Sequence, residues 1–371
     1  MSLRISLLAA TALLALSLNA AADEPAAINF DVALLLPQSG PLAAPAQAVK
    51  DGFMAAHLKA RGKGHVRVYD TGNTKDDVMD AYHRAIKDDA QFIIGPLSKE
   101  AVAALADDGR PDEPVLALNY LDDPDDAPRG FYQFGLSPED EARAAAERAI
   151  SDGDRRALVM APDSDWGNRV LAAFEKRLTD LGGSIVQTAR YTPGTNDYSK
   201  AIHELMKLDL SEARHKSLMN IIGGETEFEP RRRDDIDFIF MPARAADARL
   251  LWPQFRYYRA TDLPAYATAM VYEGKPDQDL NGVRFCDMPW MVQRDDNTSV
   301  NAQQRLFALG HDAYLLAGMI KADQLNEDTS YPAYTGSLKL VDRAIVRGLT
   351  CARFRGDKID VLRIDQPGSD E

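Results

Sequence analysis

Cysteine is scarce: the 371 residues hold two, Cys286 and Cys351. No paired CxxC, nucleophile elbow, Walker loop or dinucleotide fingerprint occurs, so no motif announces catalysis or a cofactor. His203-Glu204 opens like a zinc-protease motif, but the position four beyond His203 is Lys207 and the second ligand is missing. The six histidines show no ligand spacing. No metal, no cofactor and no enzymatic activity are therefore expected, and a binding or interaction protein is. Basic charge is in deficit: the formal net charge is −14, which argues against nucleic acid or an anionic lipid surface as partner. Beyond the N-terminus no run is apolar and long enough to cross a bilayer.

What is present begins with an export signal over residues 1–22. Arg4 supplies the positive end, and residues 7–18 are an apolar stretch too short for a comfortable span. Ala20-Ala21-Ala22 offers a small-residue cleavage site before Asp23. No cysteine sits near that site, so no lipid anchor is expected. The reading is a soluble periplasmic protein. Export would place both thiols in an oxidising compartment, where a Cys286–Cys351 disulfide is expected. Two buried free thiols remain the alternative, because spacing alone does not prove bridging.

The mature length suits about two domains at ~150 residues each, and 45% hydrophobic residues allow a sizeable core. The stretch 91–98, QFIIGPLS, reads as a short buried strand, a Gly-Pro turn and a serine placed to cap a helix. Ligands of open α/β sheets sit beyond the carboxyl ends of strands, so Ser98 is a candidate ligand contact and equally a plain N-cap. Around it, apolar strand-length runs at 30–36, 66–69 and 115–118 alternate with helical periodicity, a βαβ series that implies a mainly parallel sheet. Ser137-Pro138-Glu139-Asp140 is a helix start with cap, proline and first-turn acids, and the first domain crossing is expected there. A second α/β series follows, with strands near 157–161, 184–189, 236–241 and 265–271.

Between them, residues 209–233 read as an irregular, polar surface loop. Its Arg231-Arg232-Arg233 is flanked by acids and reads as a salt-bridged loop end, with a basic recognition patch as the alternative. The acidic run at 122–126 lacks EF-hand spacing and reads as solvated loop.

Two such halves after a signal peptide resemble the type I periplasmic binding-protein superfamily, and VALLLPQSGPLA (32–43) is similar to its first strand and turn. IIGPLSKEAV, VLALNY, FGLSPEDEARAAA (134–146), RRRDDIDFIFM (231–241) with DARL, and GVRFCDMPW (282–290) together resemble the LppC, or LpoA-like, family of penicillin-binding protein activators. The likeness covers the C-terminal domain of that family only; its lipid-modified cysteine and N-terminal helical repeats have no counterpart here.

The resemblance implies a two-lobed Venus-flytrap α/β fold. The first lobe is expected over 28–136 with 288–330, and the second over 137–287 with 331–365. It implies a non-enzymatic regulator that contacts a peptidoglycan synthase. The alternative is a solute receptor of an ABC transporter for amino acids or small peptides. A small-molecule cleft between the lobes would be walled by Ser39, Ser98, Asn119 and Tyr120 on one side and by Trp166 and Tyr272 on the other. For Trp166, packing under its own helix is the competing expectation. In this fold the strands holding Cys351 pack near the crossing that holds Cys286.

Overall fold

The computed structural model describes residues 26–109, 111–222, 227–293 and 302–363. The export segment expected over residues 1–22 lies outside them, as do residues 364 and 365 of the expected second lobe.

The first lobe alternates strand and helix as far as its fourth strand. β1 (Val32–Leu36) is buried at every position, as a strand covered on both faces must be. α1 (Ala43–Lys59), β2 (Val66–Asp70), α2 (Lys75–Lys87), β3 (Phe92–Ile94), α3 (Lys99–Asp107), β4 (Val115–Ala117) and β5 (Phe131–Gln133) follow. The strands pair in parallel in the order β2-β1-β3-β4-β5.

The second lobe repeats the plan with α4 (Pro138–Ser151), β6 (Arg156–Pro162), α5 (Asp165–Asp180), β7 (Ser184–Tyr191), α6 (Ser199–Leu205), α7 (Leu208–Ile222), β8 (Phe238–Phe240), α8 (Ala245–Tyr257), β9 (Ala265–Thr268) and β10 (Val283–Asp287). Its parallel order is β7-β6-β8-β9-β10. α7 corrects residues 209–222 of the expected loop at 209–233, while residues 227–233 are irregular as expected. Its Leu, Glu, Ala, Arg and Lys content favours helix, while its apolar side chains do not mark a buried face, so the period that would have announced it is weak. Residues 223–226 of that expected loop lie outside the described residues.

The chain then returns through α9 (Pro289–Val292) and α10 (Ala302–Lys321). α10 packs on α1 at two glycines. A Cβ on Gly52 would lie 1.9 Å from the Phe307 carbonyl oxygen, and one on Gly310 would lie 1.9 Å from that of Val49. Only glycine permits this approach of backbones.

Three strands follow, β11 (Tyr331–Pro332), β12 (Ser337–Val341) and β13 (Ala344–Gly348), and then β14 (Thr350–Arg355) and β15 (Lys358–Leu362). The expected boundary is corrected here. Residues 331–348 join the first sheet, not the second: β13 lies beside β5, and the Gln133 N–H donates to the Arg343 carbonyl. The reason is burial. Leu338, Leu340 and Ile345 complete the first lobe's core, and β13 covers an edge that β5 would otherwise leave open. β14 crosses to the second sheet, where it pairs antiparallel with β10, and β15 closes that sheet. Cys286 and Cys351 stand directly opposite in the β10–β14 register and are joined by a disulfide.

Candidate functional site

The chain passes between the lobes three times: after β5, after β10, and at Leu349 between β13 and β14. These crossings converge on a seam with its own small apolar cluster, Met288, Met291 and Ala308 packed by Leu136, Trp290 and Tyr334.

Buried charge flanks that cluster. Ser137 caps α4, its hydroxyl accepting from the Glu139 N–H at 3.2 Å. The cap turns Asp140 inward to Arg347 of β13, with Nε 3.1 Å from Oδ2 and both side chains at most 3% exposed. Arg347 also donates to the carbonyls of Ser137 at 3.3 Å and Thr335 at 3.4 Å. Arg143 adds a second cation to Asp140. On the other side, Arg305 of α10 meets Asp287 of β10 at 2.5 Å and donates to the carbonyls of Tyr272 and Ala269 at 3.1 and 3.3 Å. Each pair joins one lobe to the other.

Glu141 lies between the pairs and accepts from the Ala269 N–H at 2.9 Å. Burial, and then the negative charge of Asp287, push its carboxyl up to about 8, with Arg305 and Arg347 pulling the other way. Behind the seam, buried Asp312 accepts from the Thr335 N–H and hydroxyl at 2.6 and 2.7 Å. The His311 ring stacks on Tyr334 at 3.9 Å. Because Asp140, Asp287, Arg305 and Arg347 are paired across the lobes, the seam is a clasp and not a set of free ligands.

In front of the seam, a groove of about 780 Å³ opens between the lobes, lined by Asn119, Tyr120, Pro138, Arg169 and Ile345 among others. Its three bases are each paired within their own lobe: Arg169 with Glu139 at 2.9 Å, Lys99 with Asp122 at 2.5 Å, and Arg143 with Asp140. Tyr120 donates its hydroxyl to the Ile345 carbonyl at 2.7 Å. Burial, and then the Asp140 carboxylate, raise its phenol above the ordinary range.

Of the six side chains expected to wall the cleft, only Asn119 and Tyr120 line this groove. Asn119 spends its amide on the Leu97 carbonyl and the Tyr120 N–H, which shapes the turn. Ser98 accepts from the Ala101 N–H at 3.2 Å as the cap of α3 and lines a separate 270 Å³ pocket with Thr71 and Thr74. Ser39 is exposed in the turn after β1 and lines none of these cavities. Trp166 packs half-buried on the core beneath α5, the competing expectation. Tyr272 is 6% exposed and stacks on Phe285 at 4.9 Å. It fell inside because a short 3₁₀ turn, Ala269–Val271, replaces the expected end of the strand and turns the ring back into the core.

The residues that sequence reasoning passed over are Asp140, Glu141, Asp287, Arg305 and Arg347. One signal was there. Strand residues two apart share a face, so Arg347 stands in phase with apolar Ile345, and an arginine on a buried face requires a partner. Among the described residues, no group of three His, Cys, Asp or Glu is placed to hold a metal ion, and no helix is long and apolar enough to cross a membrane.

Comparison with known proteins fits this geometry. The model of the LppC family, described as a putative lipoprotein, matches residues 21–356. A penicillin-binding protein activator LpoA from Vibrio antiquarius is 30% identical over 341 residues, covering 85% of this chain and 56% of its own length. That of Photobacterium profundum is 27% identical over 353 residues, with 89% and 56% covered. The chain thus spans just over half the length of these curated relatives.

The Haemophilus influenzae LpoA (YraM) C-domain, described as a regulator of PBP1A, superposes with a TM-score of 0.67 at 22% identity over 90% of this chain and 100% of that one. A putative branched-chain amino acid ABC transporter structure from Chromobacterium violaceum gives 0.66 at 25% identity over 88% and 100%. The architecture is the two-lobed fold of type I periplasmic binding proteins. With the family model matching nearly the whole described chain, this protein belongs to the LppC family.

Proposed function

We propose that this chain is a non-enzymatic regulator of a peptidoglycan synthase, a class A penicillin-binding protein, and acts by protein–protein contact in the periplasm. The observation that carries the reading is the end-to-end likeness to the Haemophilus C-domain described as a regulator of PBP1A. The clasped seam supports it, since lobes joined by buried ion pairs present a surface of fixed shape. Such a regulator works by binding the active form of the synthase more tightly than the inactive one, which shifts the equilibrium between them. Residues 1–22 serve as the export signal in this reading.

The test is glycan polymerisation by a purified class A synthase with and without the purified mature chain. A saturable rise in rate is expected. Unchanged rate together with absence of binding overturns the proposal.

A second reading, a solute receptor, is favoured by one observation, the interlobe groove with Asn119 and Tyr120 on its wall. An amino-acid ligand needs an unpaired acid and an unpaired base; Asp123, Asp125 and Asp342 offer the acid, but each of the groove's bases, Lys99, Arg143 and Arg169, is already spent on a carboxylate. Thermal melts separate the two readings. A true ligand at a hundredfold excess over Kd stabilises by about 2.7 kcal/mol, and no shift of that size is expected with amino acids or short peptides.

A further inference from the structure

We infer that the exposed side of α7, with the loop at residues 227–232, is the docking surface for a partner protein that carries carboxylates around an apolar centre. The inference rests on the regulatory reading above and gives it a place on the molecule.

An ordinary surface helix buries its leucines and isoleucines. α7 buries only Leu208 and Ser211. Leu210, Leu218, Ile221 and Ile222 are 47%, 50%, 80% and 61% exposed. Beside them Phe228, 37% exposed, stacks on His215 at 3.9 Å. An apolar concentration of this kind on a soluble surface marks an interaction site. The adjoining depression, of about 840 Å³, is rimmed by Arg214, Arg231, Arg232 and Arg259.

The arginine run singled out in the sequence divides here. Arg233 is buried against Asp235 at 2.6 Å, and Arg232 reaches Asp262 at 2.5 Å. Arg214 and Arg231 make no ion pair among the described residues. Apolar and aromatic side chains ringed by arginine are the composition of protein interfaces.

Charge selects the occupant. Arg259 pairs with Glu229 at 3.4 Å, so the rim's uncommitted cations are Arg214 and Arg231; on a chain of net −14 they are a local exception, and their complement is acidic. A second copy docked through the same face would set arginine against arginine, because a two-fold interface repeats one patch on both sides. An anionic bilayer has the charge but is flat, and offers no protrusion to enter the depression. A folded acidic surface with an apolar centre satisfies both elements.

The experiment is equilibrium binding of the full mature chain to the purified periplasmic region of a class A penicillin-binding protein from the same organism. Three double variants are compared: Leu218→Glu with Ile221→Glu, Arg214→Glu with Arg231→Glu, and the distant exposed control Lys87→Glu with Lys339→Glu. All six side chains are exposed, and thermal melting verifies that each variant folds. Each patch variant should weaken binding by about tenfold or more, with the control within about twofold. The arginine variant's deficit should shrink in high salt, as screening removes the contribution of the rim.

Patch variants that bind like the wild type overturn this surface and leave the regulatory reading standing. A wild type that does not bind overturns the regulatory reading, and this inference with it. Self-association abolished by the Leu218/Ile221 variant, or wild-type binding to phosphatidylglycerol vesicles, overturns the choice of occupant.

Discussion

Arg347 and Asp140 meet 3.1 Å apart across the seam, one from the last strand of the first sheet and the other from the first turn of the second lobe. Neither side chain is more than 3% exposed, so the cost of removing one depends on what is left behind. Asp140→Leu alone strands the buried Arg347 guanidinium and should cost about 3–5 kcal/mol in urea unfolding. Arg347→Met leaves Asp140 with Arg143 as its remaining cation and should cost less. The double variant removes both charges and should recover most of that loss. A double variant as unstable as the sum of the singles would show that the pair is not coupled.

Glu141 gives a pH dependence with a defined sign. Its carboxyl is pushed up to about 8 in the folded chain, by burial first and by Asp287 second. Across the interval from the ordinary carboxylate range to about 8, the folded state therefore holds a proton that the unfolded state releases. Stability from this group is present at the acid end and is lost as pH rises through that window. Glu141→Gln keeps the shape and removes the titration. Its stability profile should be flatter than that of the wild type over the same window, measured by urea unfolding at stepped pH. Parallel profiles would contradict the shift.

The disulfide closes a loop with a sequence separation of 65. Chain-entropy arithmetic for a loop of this length gives stabilisation on the order of 4 kcal/mol. Reductant should lower the melting temperature of the wild type and leave Cys286→Ala/Cys351→Ala unmoved. Denatured, unreduced protein should show no reactive thiol. Two labelled thiols per chain would refute the bridge.

Two glycines of α10 should respond oppositely to the same substitution. Gly310→Ala drives a Cβ to 1.9 Å from the Val49 carbonyl oxygen and should destabilise by about 1–3 kcal/mol or more, as overpacking does. At Gly318 the nearest atom to a new Cβ is Ile28 Cγ1 at 3.8 Å. Gly318→Ala should be neutral, or stabilise by up to about 1 kcal/mol through helix propensity. Equal effects at both sites in thermal unfolding would show that the close approach of α1 and α10 is not the controlling feature.

Local chemistry made much of the fold legible. The buried run at Phe92–Ile94, the caps at Ser98 and Ser137, and the alternation through both halves are written in neighbouring residues. The assignment of residues 331–348 was not, because a strand's sheet is chosen by distant partners: Ala344 finds Gln133 across more than half the chain.

The cleft suffered for a related reason. A strand end fixes where a turn lies but not where its side chain points, so Tyr272 and Trp166 went into cores while Asn119 and Tyr120 stayed at the groove. The buried charges of the seam are the converse case. Arg347 and Asp140 look like surface residues until the fold sets them against each other.

The position of Leu349 has a consequence for the order of assembly. One residue separates the last strand of one sheet from the strand that joins the other. Neither lobe can finish its sheet until residues 331–348, for the first, and 350–362, for the second, are available. A growing or threading chain therefore carries two incomplete sheets until these residues arrive, each with an unsatisfied edge, and long-range pairings of this kind form slowly. Both lobes should then close within one late event, so a chain cut before residue 331 would contain neither lobe in finished form.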